Sequence, residues 1–309
     1  MRPRVRKTPV RALFFGLFGI GIAACSPSEI SADPQLQALA EDIGSVEAHR
    51  RPEAAEIMGL PNALFGGRYG DLLDDRSMAA VARNRTVRLT QLAKPEAIDP
   101  ATLSPDMRRL QASLVWMLRA VTAIDAHGYG QAEFGRASPY VISFADGAYT
   151  DLVKFMTLHA PVRNRSDASD WLKRLETMDD ALRDERRRFE ADINAGVAPP
   201  ASILRRTLDK ARQLTPRNAR EHPLVTYFVE CLAQIPDIPE EEIATLVKKA
   251  TDLIGGDIKD EYVKLTELLE NTLTTASDDP GVWRLGDGDA YYAHALHLHT
   301  TTDMSAQQL

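Results

Sequence analysis

Cysteine is scarce in this chain: its 309 residues hold two, Cys25 and Cys231. Two cysteines cannot form a disulfide framework. If Cys25 is modified, Cys231 has no partner at all. Cys231 lies in the apolar stretch LVTYFVECLAQI, where a buried inert thiol is expected rather than a nucleophile. Long apolar runs are missing too. Ala12–Ala24 is short of the about 20 residues that a membrane-spanning helix needs. The sequence has no fixed-period repeat and almost no strand-like alternation; the exception is SPYVISFADGAY, at 138–149. It also lacks H-E-x-x-H, G-x-S-x-G and a glycine-rich phosphate loop. These absences exclude the common hydrolase and nucleotide-binding signatures.

The first 25 residues are well patterned. Arg2, Arg4, Arg6, Lys7 and Arg11 precede the apolar run, and no acid is among them. That order is a bacterial secretory signal. It ends in Ile22-Ala23-Ala24-Cys25, which resembles the lipobox at which lipoproteins are acylated on cysteine and cut before it. The expectation is a signal peptide over 1–24, lipidation on Cys25, a polar tether over 25–32 and a helical domain over 33–309. Acyl chains on Cys25 would hold the body at a membrane surface. Ser26, where inner-membrane retention calls for Asp, favours the periplasmic face of the outer membrane.

The formal charge is −7, and taking away the five basic residues of the leader leaves −12. An acidic body without a basic cluster excludes nucleic acid as a partner. At 44% hydrophobic residues the chain can bury a core.

Helix signals fill that body. Ser104 and Pro105 open a segment in which Met107, Leu110, Leu114, Met117, Val121 and Ile124 recur at alternating steps of three and four, with Gly128 closing it. SDASDWLKRLETMDDALRDERRRFEADINAG reads as one long charged helix with Trp171, Leu175, Leu182 and Phe189 on its apolar side. Its Arg186–Arg188 run, flanked by Asp184, Glu185 and Glu190, reads as a solvated self-paired face and not as an anion site. Pro199-Pro200 opens the next helix, and PEEEIATLVKKATDLIGG ends in a glycine pair. DEYVKLTELLENTLTTAS follows, with Tyr262, Leu265, Leu269 and Leu273. The pattern predicts an all-α, multi-helix bundle of eight to ten helices.

Chemistry is thin. His294, His297 and His299 cluster near the end, but 299 turns about 200° away from 297 on a helix. No metal site and no catalytic residue is expected from them, since zinc needs three protein ligands around one point. The GDGD at 286–289 lacks calcium-loop spacing and reads as a turn before a helix.

The last block, DPGVWRLGDGDAYYAHALHLHTTTDMSAQQL, resembles a signature of the bacterial family known as domain of unknown function 885. The matching positions are Gly281-Val282-Trp283, the turn Leu285–Gly288, Tyr291-Tyr292 and His299–Thr302. The turn departs from the pattern in having Gly286 where proline is usual. The likeness is clear over 140–309 and loose over 33–139. The resemblance implies a helical protein similar to zinc metallopeptidases, often lipid-anchored, about twice this length. It places zinc on a His-Glu-x-x-Pro-Gly-His-His stretch beyond the residues present, so no cofactor is expected in this chain. It suggests Asp287, Asp289, Tyr291 and Tyr292 as lining of a substrate channel. The terminal Ser305-x-x-Gln308 is a capping box that opens a helix. On this reading the chain is the incomplete N-terminal half of such a protein and inactive alone, with a C-terminal half or a peptide as partner. Apolar faces near 281–309 would then lack cover within the chain. The alternative is a non-catalytic helical envelope lipoprotein that binds a peptide or protein.

The lipobox reading makes one direct prediction. Wild type should fractionate with membranes, and Cys25→Ser should move to the soluble fraction; identical fractionation of the two contradicts lipidation.

Overall fold

A computed structural model describes residues 31–309. The leader, Cys25 and most of the tether lie outside the described residues. Among the described residues are twelve α-helices and one small hairpin. The N-terminal layer is α1 (Asp33–Arg50), α2 (Pro52–Ile57), α3 (Met78–Glu96) and α4 (Pro105–Asp125). The hairpin follows, with β1 (Gln131–Glu133) antiparallel to β2 (Arg136–Ser138). Next come α5 (Ala148–Leu158), α6 (Arg165–Glu176), α7 (Met178–Asn194), α8 (Ala201–Leu214) and α9 (Pro223–Leu232). The last three are α10 (Glu240–Leu253), α11 (Lys259–Leu273) and α12 (Gly288–Thr300). The fold is all-α, as the sequence pattern predicts. No helix among the described residues is long and apolar enough to cross a membrane.

Local chemistry explains most boundaries. Ser104 Oγ accepts the Met107 N–H at the start of α4, with Pro105 at the first helical position. Leu114, Val121 and Ile124 of its stripe are buried. Asn164 caps α6 through the Asp167 N–H at 3.0 Å. Three expectations need correction. The long charged segment is two helices, because Thr177 (φ −105°, ψ 2°) leaves helical geometry between α6 and α7. The glycine pair 255–256 kinks the path from α10 into α11 instead of ending it, with Gly256 at φ −99°, ψ −122°. The strand-like SPYVISFADGAY forms no strand beyond Ser138. Ser143 and Asp146 close a turn there, while Val141 and Ile142 are buried. Its alternation therefore reflects a loop pinned on the core.

The larger apolar core joins α5 to α11. The Trp171 ring stacks on Phe228 at 4.4 Å, and its Nε1–H donates to the Met156 carbonyl at 3.0 Å. Tyr262 donates to the Tyr149 carbonyl, and Tyr149 donates to Ser143 at 2.9 Å, clipping the 139–147 loop to α11. A second core joins α4, the hairpin and α12 through Val121, Ile124, Tyr129, Tyr140, Leu285, Tyr291 and Leu298. Burying such side chains contributes about 1.5–3 kcal/mol each. Trp283, Tyr292, Met304 and Leu309 remain exposed on the C-terminal face. Cys231 is a free, half-buried thiol at the edge of the larger core. At the terminus Gln308 Oε1 accepts the Ser305 N–H at 2.8 Å, one arm of the capping box.

His222 is the N-cap of α9: it is buried, its Nδ1 accepts the Leu224 N–H at 3.3 Å, and its Nε2 has no partner. Burial pushes the imidazole down to about 4. An unfolded histidine titrates near 6.5, so the unfolded chain takes up this proton first as pH falls. Stability is thus intact above about 6.5 and is lost progressively towards pH 4. The loss from this group is about 2 kcal/mol between pH 6.5 and 5. His222→Asn keeps a capping side chain without the titration. In melts at pH 7 and pH 5 it should lose less stability on acidification than wild type; equal losses contradict this role.

Candidate functional site

The signature residues meet around α12. Leu285 donates its N–H to the Val282 carbonyl at 2.9 Å, and Gly288 donates to Leu285 at 3.1 Å. The turn therefore closes with Gly286 in place of proline. Gly288 is required by close approach: a Cβ there would stand 1.8 Å from the Val282 carbonyl oxygen. Arg284 donates to the Tyr140 hydroxyl at 2.8 Å and to the Ala198 carbonyl, tying the turn to two loops.

Asp287 occupies the N-cap position of α12, yet its carboxylate makes no cap bond. It reaches back across the fold to α4's exit loop. One oxygen accepts from the Tyr129 hydroxyl at 2.8 Å, and the other lies 2.5 Å from His127 Nδ1. His127 Nε2 is 2.9 Å from His294 Nδ1. An ionised carboxylate only accepts, so His127 donates from Nδ1, while its Nε2 shares a hydrogen with His294 Nδ1. These bonds leave His294 Nε2 without a partner among the described residues. The bond from His127 holds the Asp287 carboxyl below the usual carboxylate range, with Tyr129 adding to it. Burial, reinforced by His127, lowers the His294 pKa. The relay is roofed by aromatic rings: Tyr129 and Tyr291 stack at 5.4 Å, and Tyr291 meets the His127 ring edge-on at 5.2 Å.

The four proposed lining residues thus separate. Asp287 belongs to the relay. Tyr291 is core, 2% exposed, with a hydroxyl that has no partner. Asp289 and Tyr292 are exposed near the start of α12 and line one open groove of about 530 Å³ with His297 and residues 302–307. Of the other histidines, His297 Nδ1 donates toward the Thr302 carbonyl and the Asp303 carboxylate beside Trp116, and His299 reaches Ala137. The three C-terminal histidines therefore go to three different partners. Zinc does not fit the relay, because its facing nitrogens and oxygens point at one another and not at a common centre. Among the described residues no group of three or more His, Cys, Asp or Glu could hold a metal ion. His127 was invisible as a partner, since 160 residues separate it from Asp287.

Sequence reasoning also missed a charged cleft of about 370 Å³ between α2, α3, β1, α5 and α7. Here the solvated reading of Arg186–Arg188 fails. Glu185 is buried and accepts the Ala148 N–H at the start of α5, Arg186 pairs with Glu261, and Arg188 lines the cleft. Asp74, half-buried beside Glu53, has its carboxyl pushed up to about 6 by desolvation and by the Glu53 charge. Burial would raise Glu133 as well, but Arg50, Arg51 and Arg88 hold it low.

These features define a helical-bundle protein whose C-terminal signature is locked by a carboxylate–imidazole relay. The chain belongs to the bacterial family of proteins of unknown function DUF885, which it matches over residues 52–309. No curated protein matches it. It is similar in fold to the crystal structure named "the putative lipoprotein from Colwellia psychrerythraea", with a TM-score of 0.83 at 20% identity. The match covers 90% of this chain and 48% of that one, so this chain spans about half its length.

Gly288→Ala tests the geometry of the signature. Forcing a methyl group into the Val282 carbonyl should cost about 1–3 kcal/mol. Amide exchange should rise over 281–300 more than over α5–α11. An unchanged melting temperature contradicts the close approach.

Proposed function

We propose that this chain is the substrate-side portion of a metallopeptidase-like lipoprotein, held by Cys25 at the periplasmic face of the outer membrane, with no metal site of its own. The observation that carries this reading is the relay. Its three side chains bond to one another and leave one imidazole nitrogen, His294 Nε2, without a partner among the described residues. That arrangement can position or polarise a neighbouring group, but it offers too few converging donors for a catalytic zinc. Beside it, α12 turns Asp289 and Tyr292 outward, and Trp283 is exposed on the turn before it. An exposed aromatic and acidic face suits contact with a peptide or with a metal-bearing half, whether that half belongs to the same polypeptide or to another. The likeness to zinc metallopeptidases that the signature implies supplies the reaction class, and the metal's residues are expected in that other half.

The test is metal analysis and peptide cleavage on protein purified without an affinity histidine tag. Substoichiometric zinc and no cleavage are expected. One equivalent of zinc, lost together with peptide cleavage in His127→Ala and His294→Ala, overturns the reading and makes this chain an enzyme in its own right. A tight peptide complex with no gain of activity from any second half would favour the non-catalytic binding alternative.

A further inference from the structure

The cleft found between α3 and α7 has a use that the relay does not account for. Its walls carry eight Lys or Arg side chains and seven carboxylates. Most of these cations are matched. Arg76 holds both oxygens of Glu53, at 2.7 and 2.8 Å. Arg50 and Arg51 share Glu133. Arg88, only 3% exposed, holds Asp125 at 2.8 Å and Glu133 at 3.2 Å. Arg136 pairs with Asp146 and Lys154 with Asp151.

Two guanidinium groups are left over. Arg85, one turn before Arg88 on α3, makes no hydrogen bond among the described residues. Its buried Nε has no partner, and its nearest carboxylate oxygen, on Asp125, is 3.9 Å away. Arg188, on α7, has one bond, from Nη2 to the Gly130 carbonyl at 3.3 Å, and no ion pair. The Nε of Arg88, in the same lining, is also orphaned. The two carboxylates nearest in effect to Arg188 are engaged elsewhere: Glu185 accepts the Ala148 N–H, and Asp192 accepts the Gly130 N–H at 3.0 Å. Burial weakens the hold of Arg188 on its proton, and the charges of Arg76 and Arg85 add to that. A buried cation without a partner is costly. Arg85 and Arg188, both half-buried and weakly held, line the same cavity, whose volume is in the range of small-molecule sites.

We propose that Arg85 and Arg188 form a binding site for the carboxylate of a small organic acid. Guanidinium forks bind carboxylate and phosphate alike through paired N–H donors. The surrounding charge separates the two. With seven carboxylates already in the lining, a monoanion meets less repulsion there than a dianion. A phosphate dianion would add net negative charge against seven carboxylates in a site of low dielectric. The ligand is therefore a monocarboxylate whose body fills the rest of the cleft, against Phe155 and Ile57.

Calorimetric titration of the full chain in detergent tests this with three probes: N-acetyl-L-alanine, its uncharged amide, and inorganic phosphate. The acid should bind and the amide should not. Arg85→Met and Arg188→Met should each weaken binding of the acid about tenfold, the worth of one charged hydrogen bond. Arg187→Met, at an exposed position, should bind as wild type. Arg85 has only a 3.9 Å approach to Asp125 and Arg188 only one long bond to Gly130, so both variants should melt close to the wild-type temperature. A clear fall in melting temperature would make the two arginines structural and overturn the site. So would equal binding of acid and amide, or no binding of any probe. Phosphate binding tighter than the acid would overturn the carboxylate assignment.

Discussion

The N-terminal helices are held to the rest of the molecule by buried charge more than by apolar contact. In α3 the buried positions are Ala80, Arg88, Gln91 and Pro95, a meagre apolar face for nineteen residues. What seats it is Arg88 on Asp125 and Glu133. The segment around α2 is seated likewise, by Glu53 on Arg76 and by Glu56 on Arg174. Arg174 is 2% exposed, donates to the Leu72 carbonyl at 3.0 Å and lies over the Phe155 ring. Pairs of this kind stabilise little relative to well-packed hydrophobes, but losing one partner costs about 3–5 kcal/mol. They make one docking arrangement of α1–α3 much better than its neighbours. Burial tends to raise the Glu53 carboxyl, and Arg76 more than reverses that, holding it below its ordinary value.

This dependence explains how far the sequence could be read. Helices whose inner face is apolar were legible from spacing and caps, as α4 and α11 illustrate: Ser104 and the Tyr262–Leu265–Leu269 stripe need no distant knowledge. The charged face of α7 was not. Periodicity gives the same pattern for a carboxylate facing water and for one facing a helix N-terminus, so Glu185 looked solvated. Arg174 likewise reads as a surface residue until Glu56 arrives from 118 residues away. The glycine pair at 255–256 misled for another reason. Glycine permits both a helix end and a kink, and the tertiary path through Ile254 and Ile258, both buried, selects the kink.

The signature near the C-terminus was legible as a pattern, but its physical content was not. Gly288 is there because Val282 leaves no room for a side chain. At Gly281 a Cβ would meet only the exposed Trp283 ring, which can move aside, so the backbone clash at Gly288 is the stricter requirement. Asp287 sits at the N-cap position, where aspartate usually bonds the first turn, and local reasoning assigns it there. The structure sends it to His127 and Tyr129 instead. A polar side chain satisfied at long range cannot be told from a local cap by sequence alone. Of the tyrosine pair, helical geometry turns consecutive residues about 100° apart, so one enters the core and the next does not.

The relay and the arginine cleft share a short loop. Tyr129 and His127 bind Asp287, and the next residue, Gly130, has both backbone groups taken by α7: its N–H by Asp192 and its carbonyl by Arg188. Gly130 is at φ +66°, and a Cβ on it would lie 2.3 Å from the Ser138 carbonyl oxygen. Only glycine combines that left-handed backbone with such close approach to the hairpin. The loop is therefore fixed from three sides, by α12, by α7 and by β2. Arg188 is the weakest of those anchors, because its bond to Gly130 is long and unassisted by a carboxylate. The same weakness that leaves Arg188 free to meet an anion makes it the point where the cleft touches the backbone carrying His127. Position in the chain, three residues from His127 to Gly130, is what joins two sites whose other partners come from α3, α7 and α12.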